Sequence, residues 1–239
     1  MSNETPWSDP ALSYQSLNMQ LPPVRSRAKF AITTMIALMV CSVLLMPALF
    51  AAPWVHTITG AGTGTRPTAS PATLIIVGLS MCLIGFLQIA VSITFIVFFC
   101  MWTHSANRAA RFTGAVGMEF TPGWAVGWFF IPFANLVMPF RMMKELWKTS
   151  DPAVTGEGDW RTAAVPPLVA FWWTAWLANA FFGMSGSVVS VISENKAVWT
   201  QTWLQFASTV MQLIAGYLLI RIIRQITDRL LLRAGQSPG

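Results

Sequence analysis

Long runs without a charged residue alternate along the chain with short polar stretches that carry most of the Lys and Arg residues. Four of these runs are long enough to cross the ~30 Å hydrocarbon core of a bilayer, because a helix rises ~1.5 Å per residue. They predict transmembrane helices near residues 30–52, 72–103, 163–192 and 198–221. The polar stretch before the first run is too long for a cleaved signal peptide, so we interpret that run as an uncleaved span.

The polar stretches at both ends of the chain mark the predicted domain boundaries. Residues 1–28 are rich in Pro and Ser and predict a disordered cytoplasmic tail, residues 29–226 a helical membrane domain, and residues 227–239 a short C-terminal tail. Within the first span, Pro47 is expected to kink or end the helix near its far end, because proline removes a backbone hydrogen bond.

A fifth uncharged run, residues 120–140, decides the predicted topology. If it does not cross the membrane, 13 of the Lys and Arg residues lie on one side and only Arg66 and Lys196 lie on the other; if it crosses, the division is nine to six. The first arrangement matches the excess of Lys and Arg that cytoplasmic loops show. We therefore expect a multi-pass protein of the cell membrane with both termini in the cytoplasm.

The same run is expected to be re-entrant or interfacial, because its prolines remove backbone hydrogen bonds that a spanning helix needs. After Pro132, apolar side chains recur at helical spacing, at Leu136, Phe140, Met143 and Trp147. The charged side chains fall off that stripe, at Arg141, Lys144, Glu145 and Lys148. This pattern predicts an amphipathic interfacial helix, in which the Glu145 carboxylate pairs with Lys148 or Arg141.

Composition supports a membrane protein and excludes several other classes. Hydrophobic residues make up 54% of the chain and charged residues only 10%, whereas a soluble domain carries about 25% charged residues. The net charge of +6 comes from basic residues beside apolar runs, so it indicates membrane topology and not nucleic-acid binding. The twelve Trp residues fit the same interpretation, because indole rings favour membrane interfaces.

The sequence shows no pattern typical of a catalytic or metal site. No acidic residue lies inside a predicted span, although proton-coupled transporters usually keep one there. The chain has no GxSxG, HExxH or P-loop pattern. Its three cysteines, Cys41, Cys82 and Cys100, lie inside apolar runs and form no CxxC pair. We therefore expect no enzyme activity, no metal and no cofactor.

Polar side chains inside the spans have two interpretations. Gln88, Asn179 and Gln212 each lie on a helix face that also carries small residues. Such faces commonly pack helices together, with amides that hydrogen-bond across the interface. The alternative is a polar-lined cavity for a small ligand, a lipid headgroup or an ion.

Fixed spacings of Pro, Trp and Asn between Thr121 and Asp151 form a motif. Its positions are Pro122, Trp124, Trp128, Pro132, Asn135, Leu136, Pro139, Glu145 and Trp147. This motif resembles a bacterial membrane-protein family, that of the domain of unknown function 4328, and the resemblance extends over about residues 30–226. It implies a multi-span fold in the bacterial inner membrane and no particular activity. The Asn135 amide is expected to satisfy carbonyls that the prolines free, or to contact a ligand.

The sequence thus predicts an all-α membrane protein with four transmembrane helices plus a Pro/Trp-rich re-entrant or interfacial segment. The first functional hypothesis is a non-enzymatic membrane organising or partner-binding module. Its basic cytoplasmic face would meet the lipid bilayer through anionic lipids, a protein partner or a second copy of the chain, and no nucleic acid. The alternative is a small-solute or ion transporter or channel that uses the re-entrant segment.

Overall fold

The computed structural model describes residues 22–60, 69–153, 159–192 and 197–235. Several predictions fall outside this part of the chain. These are the first 21 residues of the N-terminal tail, the last four residues of the C-terminal tail, and the two basic residues assigned to the far side of the membrane, Arg66 and Lys196.

The described residues form helices and no strand, which confirms the predicted all-α fold. The α-helices are α1 (Val24–Leu44), α2 (Met46–Thr59), α3 (Pro71–Phe112), the single turn α4 (Trp124–Gly127), α5 (Met138–Thr149), α6 (Pro167–Ile192) and α7 (Val198–Arg233). Short 3-10 turns cover Trp128–Phe130, Ala134–Leu136 and Asp159–Thr162.

Four helical segments in the described residues are long and apolar enough to cross a membrane, as predicted. They are Val24–Val55, Pro71–Phe112, Pro167–Ile192 and Val198–Arg233, with mean hydropathy between 1.5 and 2.5 in their most apolar windows. In α3 no residue of that window is buried, and Leu83 and Phe86 are each 72% exposed. An apolar surface this extensive is stable in lipid and not in water. The chain is therefore a multi-pass integral membrane protein.

The first span is interrupted close to Pro47, as the sequence predicts. Helix α1 ends at Leu44 and α2 begins at Met46, so that Pro47 lies in the first turn of the new helix. A proline in a first turn costs no intrahelical hydrogen bond, because that N–H group has no acceptor in the helix.

Three helices extend past the uncharged runs that predicted them. Helix α1 begins at Val24, within the range predicted for the tail, while α3 continues to Phe112 and α7 to Arg233. The added turns carry buried side chains such as Ala28, Ile226 and Leu230. Helices gain most of their stability from packing of this kind, and this explains why charged residues do not end them.

The described residues divide into two compact units. Unit 1 contains the described parts of residues 1–31, 98–166 and 222–239. Its fully buried side chains include Trp102, Met142, Met143, Leu146, Ile222, Ile223, Ile226 and Leu230. The indole Nε1–H of Trp102 donates to the Thr227 hydroxyl over 3.1 Å, which satisfies the polar atoms of both side chains.

Unit 2 contains the described parts of residues 32–97 and 167–221. Its core includes Met35, Leu38 and Ile220, against which Val91 and Phe95 pack. All five side chains are apolar. The unit therefore relies on apolar contacts, together with a few hydrogen bonds between helices.

The Pro/Trp-rich segment lies within unit 1 and is broken, as predicted. Between the end of α3 at Phe112 and the start of α5 at Met138, its longest α-helix is the four residues of α4. Four helical residues cover only ~6 Å, far less than the hydrocarbon core. This segment is therefore not a fifth transmembrane helix.

Candidate functional site

Two glycines shape the loop that leads from α3 into this segment. Gly114 and Gly117 have φ angles of 94° and 70°, a region that side chains with a Cβ rarely adopt. Gly114 follows the end of α3, where the Ala115 N–H donates back to the Ala110 carbonyl over 3.0 Å. This is the usual way in which a glycine ends a helix and turns the chain.

The same loop is held by polar side chains from the end of α3. The Asn107 side-chain amide donates to the Phe120 carbonyl over 2.9 Å, and the Arg111 guanidinium donates to the same oxygen over 2.9 Å. Arg111 also donates to the Asn107 side-chain oxygen over 3.2 Å. We did not single out Asn107 from the sequence, although its position four residues before Arg111 at the end of an apolar run was a usable signal.

Glu145 holds the loop from the side of α5. Its carboxylate accepts the backbone N–H groups of Glu119 and Phe120 over 2.5 and 3.2 Å, and the residue is only 7% exposed. The predicted pairing of Glu145 with Lys148 or Arg141 is therefore wrong. The helix turns this side chain inward to unpaired backbone donors, which compete more strongly for a buried carboxylate than exposed cations do.

Burial raises the pKa of the Glu145 carboxyl above its usual value, because desolvation disfavours the charged form. The two backbone hydrogen bonds oppose this change, as does the nearby Arg111, while the charge of Glu119 adds to it. Arg141 instead pairs with Glu119 over 2.9 Å. Both of those side chains are about half exposed, so their ion pair contributes little to stability.

A pocket of about 400 Å³ lies beside this loop, and we call it the basic pocket. Its lining residues are Gly117, Glu119, Arg141, Lys144, Glu145, Lys148, Trp160 and Arg161. Four of these residues are cationic and two are acidic. All of them belong to unit 1.

Arg161 is held in the basic pocket by three contacts. Its guanidinium donates to the Gly117 carbonyl over 3.2 Å and lies 5.3 Å from the ring centre of Trp160. Its own carbonyl accepts a hydrogen bond of 2.7 Å from the Lys148 ammonium. A Cβ at position 117 would lie 2.8 Å from the Arg161 guanidinium, and the φ of 70° at this position also favours glycine. No local sequence pattern predicts that Trp160 and Arg161 contact α5.

Lys144 differs from the other three cations of the pocket, each of which donates a hydrogen bond to a described residue. Its ammonium lies 5.0 Å from the ring centre of Phe140. Within residues 22–60, 69–153, 159–192 and 197–235 it makes no hydrogen bond and no ion pair. An ammonium has three N–H donors, so Lys144 can bind an anion without breaking a contact seen in the structure.

The motif residues have different surroundings. Thr121 and Pro122 open α4, with the Trp124 N–H donating to the Thr121 hydroxyl over 3.4 Å, and the rings of Trp124 and Trp128 lie 5.0 Å apart. Pro139 occupies the first turn of α5, where a proline is tolerated. Trp147 is buried, and the Arg229 guanidinium lies 4.4 Å from its ring centre.

The apolar stripe predicted for α5 is only partly correct. Met143 and Trp147 are buried, but Leu136 precedes the helix in a 3-10 turn and is 51% exposed. The buried face instead includes Met142, Leu146 and Thr149, together with Glu145. The helix begins at Met138, so the periodicity that we extended back to Leu136 does not apply there.

The segment that contains Pro132 exposes large apolar side chains. Phe133 is 88% exposed, Phe130 66%, Val137 52% and Leu136 51%. Pro132 lies in the turn between the two 3-10 turns and is itself exposed. An apolar surface next to a basic helix is typical of segments that lie in a membrane interface.

Asn135 does not make the contacts that we expected of it. Its side-chain oxygen is buried and has no hydrogen-bond partner among the described residues. Its backbone N–H donates to the Ile131 carbonyl over 2.7 Å, which stabilises the turn after Pro132. In the described part of the chain, the prediction that its amide satisfies carbonyls freed by the prolines finds no support.

The polar residues of the spans lie in unit 2, and two of the three come together. The side-chain amides of Gln88 and Gln212 both donate to the Ser42 hydroxyl, over 3.4 and 3.2 Å. Asn179 lies elsewhere and accepts a hydrogen bond of 2.8 Å from Ser208. These contacts link separate helices and favour the packing interpretation over a shared cavity. Ser42, which is 7% exposed, is a member of this cluster that the sequence analysis missed.

Comparison with protein families gives one match. The sequence model described as a domain of unknown function (DUF4328) matches residues 65–228, which is more than half of the chain. Comparisons with curated proteins and with solved structures found no match.

Proposed function

Because this chain belongs to the family of the domain of unknown function 4328, whose description assigns no activity, we propose a function from its own residues. In this proposal the protein acts as a non-enzymatic membrane module, and its cytoplasmic face binds anionic lipid headgroups. The observation that carries this proposal is the basic pocket, with four cationic side chains around one space of about 400 Å³.

The exposed segment before α5 supports an interfacial position for the pocket. Phe130 and Phe133 expose apolar rings, and α5, which begins five residues after Phe133, carries Arg141, Lys144 and Lys148. Exposed apolar rings enter the boundary between headgroups and acyl chains, while cationic side chains remain at the level of the phosphates. The proposal thus places pocket and apolar segment at the same membrane surface.

The distribution of basic residues supports a cytoplasmic orientation of that surface. In the described part of the chain, every Lys and Arg residue except Arg221 belongs to unit 1. The excess of Lys and Arg in cytoplasmic loops would then orient unit 1 toward the cytoplasm, with both termini on that side of the cell membrane.

A lipid-binding measurement on the purified full chain tests this proposal. We expect anionic phosphatidylglycerol to bind more tightly than zwitterionic phosphatidylcholine, and the difference to shrink as salt rises, because salt screens exposed charges. Each Lys or Arg near an anionic surface contributes ~1 kcal/mol. The double variant Lys144→Gln/Lys148→Gln should therefore bind phosphatidylglycerol roughly thirtyfold more weakly.

The matched control is Arg66→Gln/Lys196→Gln, which removes the same charge from loops that the topology assigns to the other side. Its affinity for phosphatidylglycerol presented to the cytoplasmic surface should be unchanged. Equal binding of the two lipids at low salt, or equal losses in the two double variants, would contradict the proposal.

A second candidate function is supported by one observation. The buried side-chain oxygen of Asn135 has no partner in the residues that the structure describes, and it lies in the broken segment that a transporter or channel would use as a gate. A solute or ion flux into liposomes that contain the protein, absent from empty liposomes and lost in Asn135→Leu, would favour transport over the lipid-binding module.

A further inference from the structure

The two acidic residues of the basic pocket are already engaged within the protein. Glu119 pairs with Arg141 over 2.9 Å, and the Glu145 carboxylate accepts the backbone N–H groups of Glu119 and Phe120. The pocket therefore keeps an excess of two positive charges, carried by Lys144, Lys148 and Arg161 against the carboxylate of Glu145. Both carboxylates therefore bind groups of the protein itself, and N–H donors of the cations remain available to a ligand.

Lys144 and Lys148 stand one helical turn apart on α5. Like charges at this spacing repel each other, which is unfavourable unless an anion lies between them. Lys148 uses one of its three donors on the Arg161 carbonyl. Among the described residues, the contact of Lys144 is with the Phe140 ring, and it uses none of the three donors in a hydrogen bond. Both ammonium groups thus have donors available for a ligand.

Arg161 completes the site from a different part of the chain. Its contact with the Gly117 carbonyl uses one of the five N–H donors of the guanidinium, and its contact with Trp160 limits the movement of the group. An arginine held in this way can bind two oxygens of one phosphate, which a lysine cannot do. The Arg161 guanidinium and the ammonium groups of Lys144 and Lys148 thus line the same pocket.

From this arrangement we propose that the basic pocket binds a phosphomonoester group through Lys144, Lys148 and Arg161. A phosphomonoester carries a charge of about −1.5 to −2 at neutral pH and three acceptor oxygens, which match the excess charge and the three cations. A phosphodiester carries one charge and fits less well. The volume of about 400 Å³ lies in the range of ligand pockets and has room for more than a bare phosphate.

This inference rests on the proposed function, because it specifies which anionic group the cytoplasmic face selects. The phosphomonoester has two sources: a lipid headgroup of the phosphatidic acid type, or a soluble compound such as glycerol 3-phosphate. The probes distinguish them. Dioctanoyl phosphatidic acid, dioctanoyl phosphatidylglycerol, glycerol 3-phosphate and inorganic phosphate are each titrated into the full chain in neutral detergent, with calorimetry as the readout.

We expect phosphatidic acid to bind at least about tenfold more tightly than phosphatidylglycerol, because the additional charge forms one further charge-assisted hydrogen bond. Lys144→Gln should weaken phosphatidic acid binding about tenfold for the same reason. The matched control is Lys29→Gln, an exposed lysine outside the pocket, with an expected loss below about twofold. An unchanged melting temperature shows that each variant folds.

The outcomes separate this inference from the proposed function. If phosphatidic acid and phosphatidylglycerol bind equally, or if Lys144→Gln and Lys29→Gln lose equally, the phosphomonoester site is overturned while binding of anionic lipid stands. If no anionic lipid binds and glycerol 3-phosphate binds with dependence on Lys144, the site stands with a soluble ligand and the lipid-binding function falls. If none of the four probes binds, both are overturned.

Discussion

Glu145 illustrates what the sequence reveals, and what it conceals, about a single side chain. Helical spacing from Arg141 and Lys148 predicts an ion pair, whereas the carboxylate accepts backbone N–H groups 25 and 26 residues earlier in the chain. A spacing rule describes neighbours on one helix. It cannot predict that a loop from an earlier part of the chain packs against that helix. The same limit explains why Asn107, Ser42 and Trp160 were not identified from the sequence.

The raised pKa of Glu145 leads to a prediction about pH. A carboxyl whose pKa is higher in the folded than in the unfolded state contributes stability below the unfolded pKa of ~4.3, and this stability is lost as the pH rises through the folded pKa. The melting temperature of the wild type should therefore fall relative to that of Glu145→Gln as the pH rises above the unfolded pKa and through the folded one.

The comparison with Glu145→Gln isolates one carboxyl group, because Glu119, Arg111 and the other charged residues near the loop are present in both proteins. Thermal unfolding in detergent at several pH values provides the measurement. Parallel pH profiles for the two proteins would show that the carboxyl titrates alike in the folded and unfolded chain.

At the scale of elements, apolar runs and prolines carried the most information. They predicted four spans, the break near Pro47 and the interrupted segment around Pro132, because lipid requires long uncharged helices and proline removes a donor. They did not predict that α1 begins as early as Val24 or that α7 continues to Arg233. The first turns of α1 and the last turns of α7 belong to unit 1, where packing stabilises them as helix. Packing partners that are distant in sequence leave no local pattern.

Arg233 joins three elements at the end of α7. Its guanidinium donates to the Thr149 carbonyl at the end of α5 and, over 3.0 Å, to the Thr113 carbonyl just after α3. Hydrogen bonds to charged groups contribute ~1.5–3 kcal/mol when buried, and less at a partly exposed site. Arg233→Met should lower the melting temperature of the protein more than Arg221→Met, whose only hydrogen bond in the described residues is to Tyr217.

Ser42 links helices of unit 2 by accepting from both Gln88 and Gln212. Interhelical hydrogen bonds in membranes average ~0.6 kcal/mol, so Ser42→Ala should lower the free energy of unfolding by about 1 kcal/mol. The control Ser80→Ala removes a hydroxyl that donates to the Ile76 carbonyl of its own helix. Unfolding in mixed micelles that is equally affected by both changes would argue against the interhelical cluster.

The exposed apolar segment can be tested by its contact with lipid. In a variant without native cysteines, an environment-sensitive fluorophore attached at Phe133→Cys should emit at shorter wavelength in liposomes and be quenched by brominated lipids. The same label at Ala153→Cys, in the polar turn after α5, serves as the control. Equal emission and equal quenching at the two positions would remove the segment from the membrane interface.

At the scale of the whole molecule, charge along the chain predicts an orientation in the membrane, and most of the basic residues behind this prediction lie in one unit. Unit 1 contains 12 of the 13 basic residues assigned to the cytoplasm, namely Arg25, Arg27, Lys29, Arg108, Arg111, Arg141, Lys144, Lys148, Arg161, Arg224, Arg229 and Arg233. The opposing Arg66 and Lys196 lie outside the described residues.

Labelling of single cysteines in intact cells tests this orientation most directly. The three native thiols, Cys41, Cys82 and Cys100, are free and are first replaced by Ala. Single cysteines are then introduced at Ala153 and Leu232, which are exposed, and at Arg66 and Lys196. We predict that a membrane-impermeant maleimide reacts at positions 66 and 196 in intact cells and at positions 153 and 232 only after the membrane is opened. Reaction at position 153 or 232 in intact cells would place the basic pocket outside the cytoplasm and contradict the account.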